Sequence, residues 1–493
     1  MAAAVAMSMA LATMKASSSS SSSLSPPPAQ AGLPMRSIPG TYGWPLLGPL
    51  SDRLDYSWFQ GPEKFFRARI DKYKSTVFRT NVPPSFPFFF DVNPNVVALL
   101  DTESFSHLFD MDNIDKRDVL VGDFMPSVKY TGNLRVCAYL DTSEPKHAQL
   151  KGFALDILKR SSKVWQTEVI SNLDVMWDTI EAGVAKDGSA SVFVPTQKFL
   201  FNFLCKSITG ADPASLAKVA EYGYEMLDLW LALMILPTVP IDVFQPLPEI
   251  FLHSWQYPFA LVSGRYNTMF EFVENYGAEA VERGKTQFGL TKEEAIHNLL
   301  FILGFNAFGG FSIFIPTLLS TILSDKTGLQ EKLREEVRGK VGTTGVIDFE
   351  SVKEMELVKS VVYETLRLNP PVPLQYGRAR KDFQLKSHDS VFDIKKGELL
   401  CGYQKLVMKD PKVFDNPETF VPDRFVRNPE LLNYLFWSNG PQTGTPAESN
   451  KQCAAKDYVP MTAFLMVAYM FRRYDSFSVG SSGSITSVKK ASS

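Results

Sequence analysis

The sequence predicts a mainly α-helical protein with small β-sheets. Three observations carry that expectation. After a capping-box signature at Thr291–Glu294, an apolar stretch runs to about Ser324, far too long for a strand. Leu329, Leu333, Val337 and Val341 then recur every fourth residue and stop at Gly342, an amphipathic helix with a glycine end. The β-type runs, by contrast, are short and bounded by Pro, Gly or Asn. Length alone would suggest about three domains. No Gly/Ser linker, repeat or charge block divides residues 36–493, so one large domain is expected there.

Composition removes two classes. The 51 basic and 53 acidic residues leave no basic surplus, so no nucleic-acid partner is expected. At 45% hydrophobic the chain is not disordered. Its 37 phenylalanines suit a protein that encloses a large apolar cofactor or substrate.

Residues 1–35 are rich in Ala and Ser, contain the run Ser17–Ser23 and Pro26–Pro28, and precede the first acid at Asp52. Such a segment reads as a plastid transit peptide; an unaddressed tail is the bland alternative. A secretory signal ranks last, because Ala2–Met14 lacks a charged start, and the span is too weak for a membrane anchor. Ile38–Pro49 is a Pro/Gly-rich entry loop. Thr76–Val82 and Pro87–Val92 read as hairpin strands, and Val96–Leu100 as the start of a helix. Lys116–Gly122 reads as a solvated loop. His147 and Lys151 lie at i, i+4 on one helix face, ordinarily a surface pair. Met226–Pro237 is too short to cross a bilayer; a buried helix is expected, with shallow membrane contact second.

In the long apolar stretch, Asn306, Gly309, Gly310 and Pro316 are interruptions that favour a buried helix over a membrane span. Each mid-helix glycine costs about 1 kcal/mol against Ala, so something should approach the backbone closely. Phe349–Leu368 is a further helix, with Glu364 and Arg367 at i, i+3. Pro370–Gln375, including Pro373, should be extended. Val391–Leu400 gives short strands around Lys395–Gly397. A helix is expected from Ala454 to Arg473, with Pro460 beyond its first turn, and residues 474–493 form a hairpin and basic tail.

The four cysteines show no CxxC pair and no histidine at zinc spacing, so zinc is not expected. Cys453, in NKQCAAKD, is a core residue, a nucleophile or a thiolate ligand. As a ligand, one thiolate suits haem iron. Lys451 precedes it by two, and Ala454 and Ala455 follow. This resembles the haem loop of the cytochrome P-450 superfamily, with departures. Trp437-Ser438-Asn439-Gly440 supplies the aromatic-x-x-Gly start, but sixteen positions separate Trp437 from Cys453, about nine more than usual. Lys451 replaces an Arg, and Ala455 a Gly. That altered loop is similar to the plant fatty-acid hydroperoxide lyase and allene oxide synthase family.

The resemblance implies the haem-thiolate cytochrome P-450 fold, with haem b held by Cys453. It places Lys116, His147, Lys151 and Lys451 at the cofactor. It makes Glu364 and Arg367, with Arg424 of Pro422-Asp423-Arg424-Phe425, a buried triad. Where oxygen-activating relatives carry an acid and a Thr, Ser312 and Ile313 stand, so proton delivery to dioxygen is missing. Asn306 would instead hold a hydroperoxide by hydrogen bonding. Leu120, where synthases carry Phe, inclines the reading to a lyase. The substrate contacts implied are Asn306, Pro373, Lys451 and Leu120. The expected activity is cleavage of polyunsaturated fatty-acid 13-hydroperoxides, by O–O homolysis and a hemiacetal, to a short-chain aldehyde and an oxo-acid. Neither O2, NADPH nor a reductase partner is needed. Allene oxide synthase is the alternative, and a reductase-dependent monooxygenase a more distant one. The expected location is the plastid, with peripheral contact to the envelope or thylakoid membrane.

Overall fold

The computed structural model describes residues 32–85, 89, 91–238, 253, 255–343, 345–481 and 483–491. The transit segment therefore falls almost wholly outside the described residues, as does much of the strand expected at Pro87–Val92. The rest is mainly helical with three small sheets. It forms two compact units.

The first unit comprises residues up to Met125, Leu236–Trp255 and Leu374–Asp410. Its centre is a five-stranded sheet built from β1 (Val77–Asn81), β2 (Asn95–Leu99), β3 (Ile114–Asp115), β4 (Leu374–Ala379) and β7 (Leu399–Tyr403), in the order β1-β2-β7-β4-β3. β5 (Phe383–Lys386) and β6 (Val391–Ile394) pair separately, with Phe383 opposite Ile394. The helix expected from Val96 is thus strand β2, with Val96 opposite Thr80 and Val97 opposite Arg79. Five apolar residues in a row fit either element; the β-branched pair Val96-Val97 and the waiting edge of β1 decide for a strand. Phe65, Phe66, Phe78, Val96 and Cys401 close the core on one face.

The second unit holds Pro126–Ile235, Gln256–Pro373 and Pro411–Ser493. Its helices include α1 (Pro145–Asp187), α2 (Phe193–Leu204), α3 (Ala217–Ile235), α4 (Ser263–Tyr276) and α5 (Ala278–Phe288). The apolar stretch is one continuous helix, α6 (Lys292–Leu323), started by a reciprocal capping box between Thr291 and Glu294. By length and composition α6 would cross a membrane, but 67% of its most apolar window is buried in protein. α7 (Leu329–Val341), α8 (Glu356–Leu368) and α9 (Tyr458–Arg473) follow, then the hairpin β8 (Tyr474–Val479) and β9 (Ile485–Lys490).

Two expectations change in physical detail. α6 widens to a π-helical turn over Ile302–Gly309. There the close approach comes from the protein itself: a Cβ on Gly304 would lie 2.8 Å from the Trp230 ring, and one on Gly309 2.7 Å from Leu231. A Cβ on Gly310 would meet nothing within 4 Å. α9 begins at Tyr458 rather than Ala454, so Pro460 falls in its first turn. Backbone N–H groups there have no intrahelical partner, so the ring removes no bond and needs no kink.

Candidate active site

The cysteine loop is built by side-chain amides. The Cys453 N–H donates to Ser438 O at 2.8 Å, which folds the inserted segment back on its start. Gln452 Nε2 donates to Pro441 O at 2.6 Å and to Ser438 Oγ at 3.3 Å. Asn439 Nδ2 donates to Lys451 O at 2.9 Å, and Trp437 Nε1 to Gln442 Oε1 at 2.8 Å. Gly440 has to be glycine for this packing, since a Cβ would come within 2.9 Å of Gln452. Asn439 adopts a left-handed φ of 60°, which Asn tolerates better than most residues. Gln452, Gln442 and Asn439 escaped the sequence reading. Gly440 and the run of small and amide residues were the only signal.

Cys453 is half-buried and free. Burial pushes its thiol up, while Lys151 and the Ala455 N–H pull it down. Beside it lie three of the residues expected at the cofactor. Lys151 Nζ donates to Gln452 O. Lys451 Nζ donates to Cys137 O at 2.9 Å and Leu140 O at 2.7 Å. His147 is fully buried, and neither ring nitrogen makes a well-formed hydrogen bond. Burial, reinforced by Lys451 and Lys151, pushes His147 down to about 4. Burial and Lys151 likewise push Lys451 down to about 8, and burial lowers Lys151. Lys151 thus depresses both Lys451 and His147, and Lys451 depresses His147; buried basic groups in such an arrangement would be relieved by an anion.

Asn306 lies in the π turn of α6, exposed, with no hydrogen bond to its amide among the described residues. Ser312, six residues on, is buried and donates to Gln197 Oε1 at 2.9 Å. Pro373 is exposed at the end of its segment.

The expected triad is assembled. Arg367 meets Glu364 through Nε and Nη2, both at 2.7 Å, and Arg424 Nε reaches the two carboxylate oxygens at 3.1 and 3.0 Å. All three side chains are buried. Their remaining donors go to Pro417 O, Asp415 O and Asn416 O, so the triad fastens the segment before the cysteine loop.

Lys116 and Leu120 belong to the first unit. Lys116 is buried, with Nζ 2.5 Å from Tyr376 O. Leu120 is half-buried, and its N–H points at Met125 Sδ at 3.5 Å.

A widened helix that carries an unpaired amide, a cysteine loop and a buried Glu–Arg–Arg brace are the features of a haem-thiolate class of protein. The family model described as Cytochrome P450 matches residues 310–441. A fatty acid hydroperoxide lyase, chloroplastic, of Solanum lycopersicum is 65% identical over 94% of this chain and 98% of its own. A linolenate hydroperoxide lyase, chloroplastic, of Arabidopsis thaliana is 59% identical over 94% of this chain and 95% of its own. An allene oxide synthase, chloroplastic, of the same plant is 42% identical over 93% and 90%. The chain belongs to the hydroperoxide lyase and allene oxide synthase family of the cytochromes P450.

That family implies haem with a cysteine-thiolate ligand. The residues fit the group: a free, half-buried thiol at Cys453, buried basic side chains at His147, Lys151 and Lys451 suited to its carboxylates, and, at Gly310, a helix surface without side chain.

Proposed function

We propose that the protein is a fatty-acid hydroperoxide lyase acting on the 13-hydroperoxides of linoleic and linolenic acid. It yields a short-chain aldehyde and an oxo-acid through a hemiacetal, without O2, NADPH or a reductase. The observation that carries lyase over synthase is the gap between 65% and 59% identity to lyases and 42% to a synthase.

The cofactor would be haem b, held through the Cys453 thiolate, with His147, Lys151 and Lys451 as contacts for its carboxylates; the resemblance adds Lys116 to these contacts. Bound haem supplies the one-electron partner for homolysis of the peroxide O–O bond. The chain's own residues set the outcome. Asn306 donates its free amide N–H to the peroxide and holds it in place. Ser312 spends its hydroxyl proton on Gln197, so it is not aimed at the peroxide, and heterolysis lacks a proton source. The resemblance makes Leu120 and Pro373 substrate contacts, and neither side chain donates a proton or bears an aromatic face. Glu364, Arg367 and Arg424 act only by fixing the frame.

Residues 36–493 form a single haem-thiolate catalytic domain, preceded by a plastid transit peptide within 1–35. Peripheral contact with a plastid membrane is supported by the exposed Trp44, Leu47, Trp58 and Phe59 of the first unit, amphipathic or apolar groups suited to a lipid interface. The testing experiment gives haem-loaded protein linolenic-acid 13-hydroperoxide without NADPH and identifies products. Aldehyde plus oxo-acid is expected; ketols from a hydrolysed allene oxide would overturn the lyase assignment.

A further inference from the structure

We propose that Trp230, Tyr266 and His297 form a one-electron donor site that discharges the haem centre when peroxide cleavage leaves an oxidising equivalent behind. This rests on the haem-thiolate reading above. Trp230 is 1% exposed and packs directly on Gly304, two residues before Asn306. Its ring centroid lies 5.8 Å from that of Tyr266 at an interplanar angle of 29°. On the other side it lies 6.4 Å from Phe301, which stacks at 4.7 Å on Phe305, the neighbour of Asn306. A series of aromatic rings with successive centroids 4.7, 6.4 and 5.8 Å apart thus runs from the Asn306 turn to Tyr266.

Packed rings alone are ordinary core. What sets this set apart is its far end. The buried Tyr266 hydroxyl is 2.8 Å from His297 Nδ1, and the two rings are parallel to within 8°. The tip of the imidazole is wedged against Gly132, where a Cβ would sit 2.1 Å from Nε2, so the ring is held in place. A phenol gives up an electron readily only if its proton leaves at the same time, because the oxidised phenol is a strong acid. That requires a neutral base in hydrogen-bond contact. Burial keeps the Tyr266 hydroxyl protonated and the His297 ring neutral, the correct pairing for transfer.

The step balances as follows. If the substrate's oxygen radical escapes after homolysis, one oxidising equivalent and the peroxide's second oxygen, as hydroxide, would stay behind at the bound haem. Tyr266 would supply one electron through Trp230, which with one solvent proton would cancel that equivalent and release the hydroxide as water. The phenolic proton passes to His297 Nδ1, leaving a neutral tyrosyl radical and an imidazolium. A soluble one-electron, one-proton reductant of the ascorbate type regenerates the pair. The equivalent is thereby drawn off to Tyr266 instead of attacking the cysteine loop.

The test mixes haem-loaded full-length protein with cumene hydroperoxide, whose fragment does not return its electron, and freeze-quenches it for electron paramagnetic resonance. A tyrosyl signal that narrows on tyrosine ring deuteration is expected in the wild type. It should be lost in Tyr266→Phe and, with the tyrosine still present, in His297→Gln, which keeps an acceptor but no base. Both variants should keep the initial rate on linolenic-acid 13-hydroperoxide, inactivate after fewer turnovers, and lose protection by ascorbate. A wild type without tyrosyl signal, or an equal signal in Tyr266→Phe, overturns the relay. Consumption of the fatty-acid hydroperoxide in the same preparation reports separately on the lyase assignment.

Discussion

Two buried charge clusters of the second unit differ in how they are completed. Around Glu364 every charge is answered: both carboxylate oxygens accept from Arg367 and Arg424, and the spare guanidinium donors reach backbone carbonyls. Around His147 nothing comparable occurs. Among the described residues Lys151 and Lys451 donate to backbone carbonyls, and neither ring nitrogen of His147 makes a well-formed hydrogen bond. The difference teaches that a cluster built to brace a fold is saturated internally. If the His147 cluster receives the haem carboxylates, as proposed above, it is left one anion short at a cost in stability that the ligand would offset.

The largest expected effect comes from opening the closed cluster. Glu364→Gln keeps the shape but leaves two buried guanidiniums without a carboxylate, and should destabilise the protein by about 3–5 kcal/mol. Chemical denaturation measures it; a loss as small as that of a surface pair would mean that the triad is not a closed unit.

The open cluster should announce itself through pH. His147 binds a proton less readily in the folded protein, near 4, than at its ordinary value of 6.5. Its contribution is therefore present above pH 6.5 and is lost as pH falls toward 4. In haem-free protein that loss should reach up to about 3 kcal/mol, and His147→Leu should abolish it. In haem-loaded protein the carboxylates would hold a charged imidazole, so the acid loss should shrink. Denaturation midpoints against pH, with and without haem, decide the matter; equal slopes would break the distinction between the clusters.

The smallest effect is the control. Lys353 and Glu350 pair at 2.7 Å but are 52% and 81% exposed. Glu350→Gln should change stability by less than about 0.5 kcal/mol, as measured by the same denaturation.

Much of this was legible in the chain because it is local. The capping box at Thr291–Glu294, the four-residue spacing of Leu329–Val341 and the Glu364/Arg367 pair each depend on residues within one or two turns. Val96–Leu100 was misread because a short apolar run takes its structure from its neighbour, and β1 lies outside any local window. Pro460 looked like a break until the start of α9 was placed four residues later. The amide scaffold of Gln452, Gln442 and Asn439 left no periodic mark at all, since loops are held by specific hydrogen bonds rather than by pattern.

By itself, then, the sequence determined a mainly helical protein, an unpaired cysteine in an unusual loop, and a helix lacking the acid–Thr pair. The first two follow from residue identity and near-neighbour spacing, and the third from the family resemblance. Only the tertiary structure decided that His147, Lys151 and Lys451 are buried within electrostatic reach of one another, that Arg424 completes the triad sixty residues from Glu364, and that Tyr266 faces His297. The physical reason is shared. Electrostatic and hydrogen-bond partnerships act through space over a few ångströms, and the fold, not the spacing along the chain, sets which groups come that close.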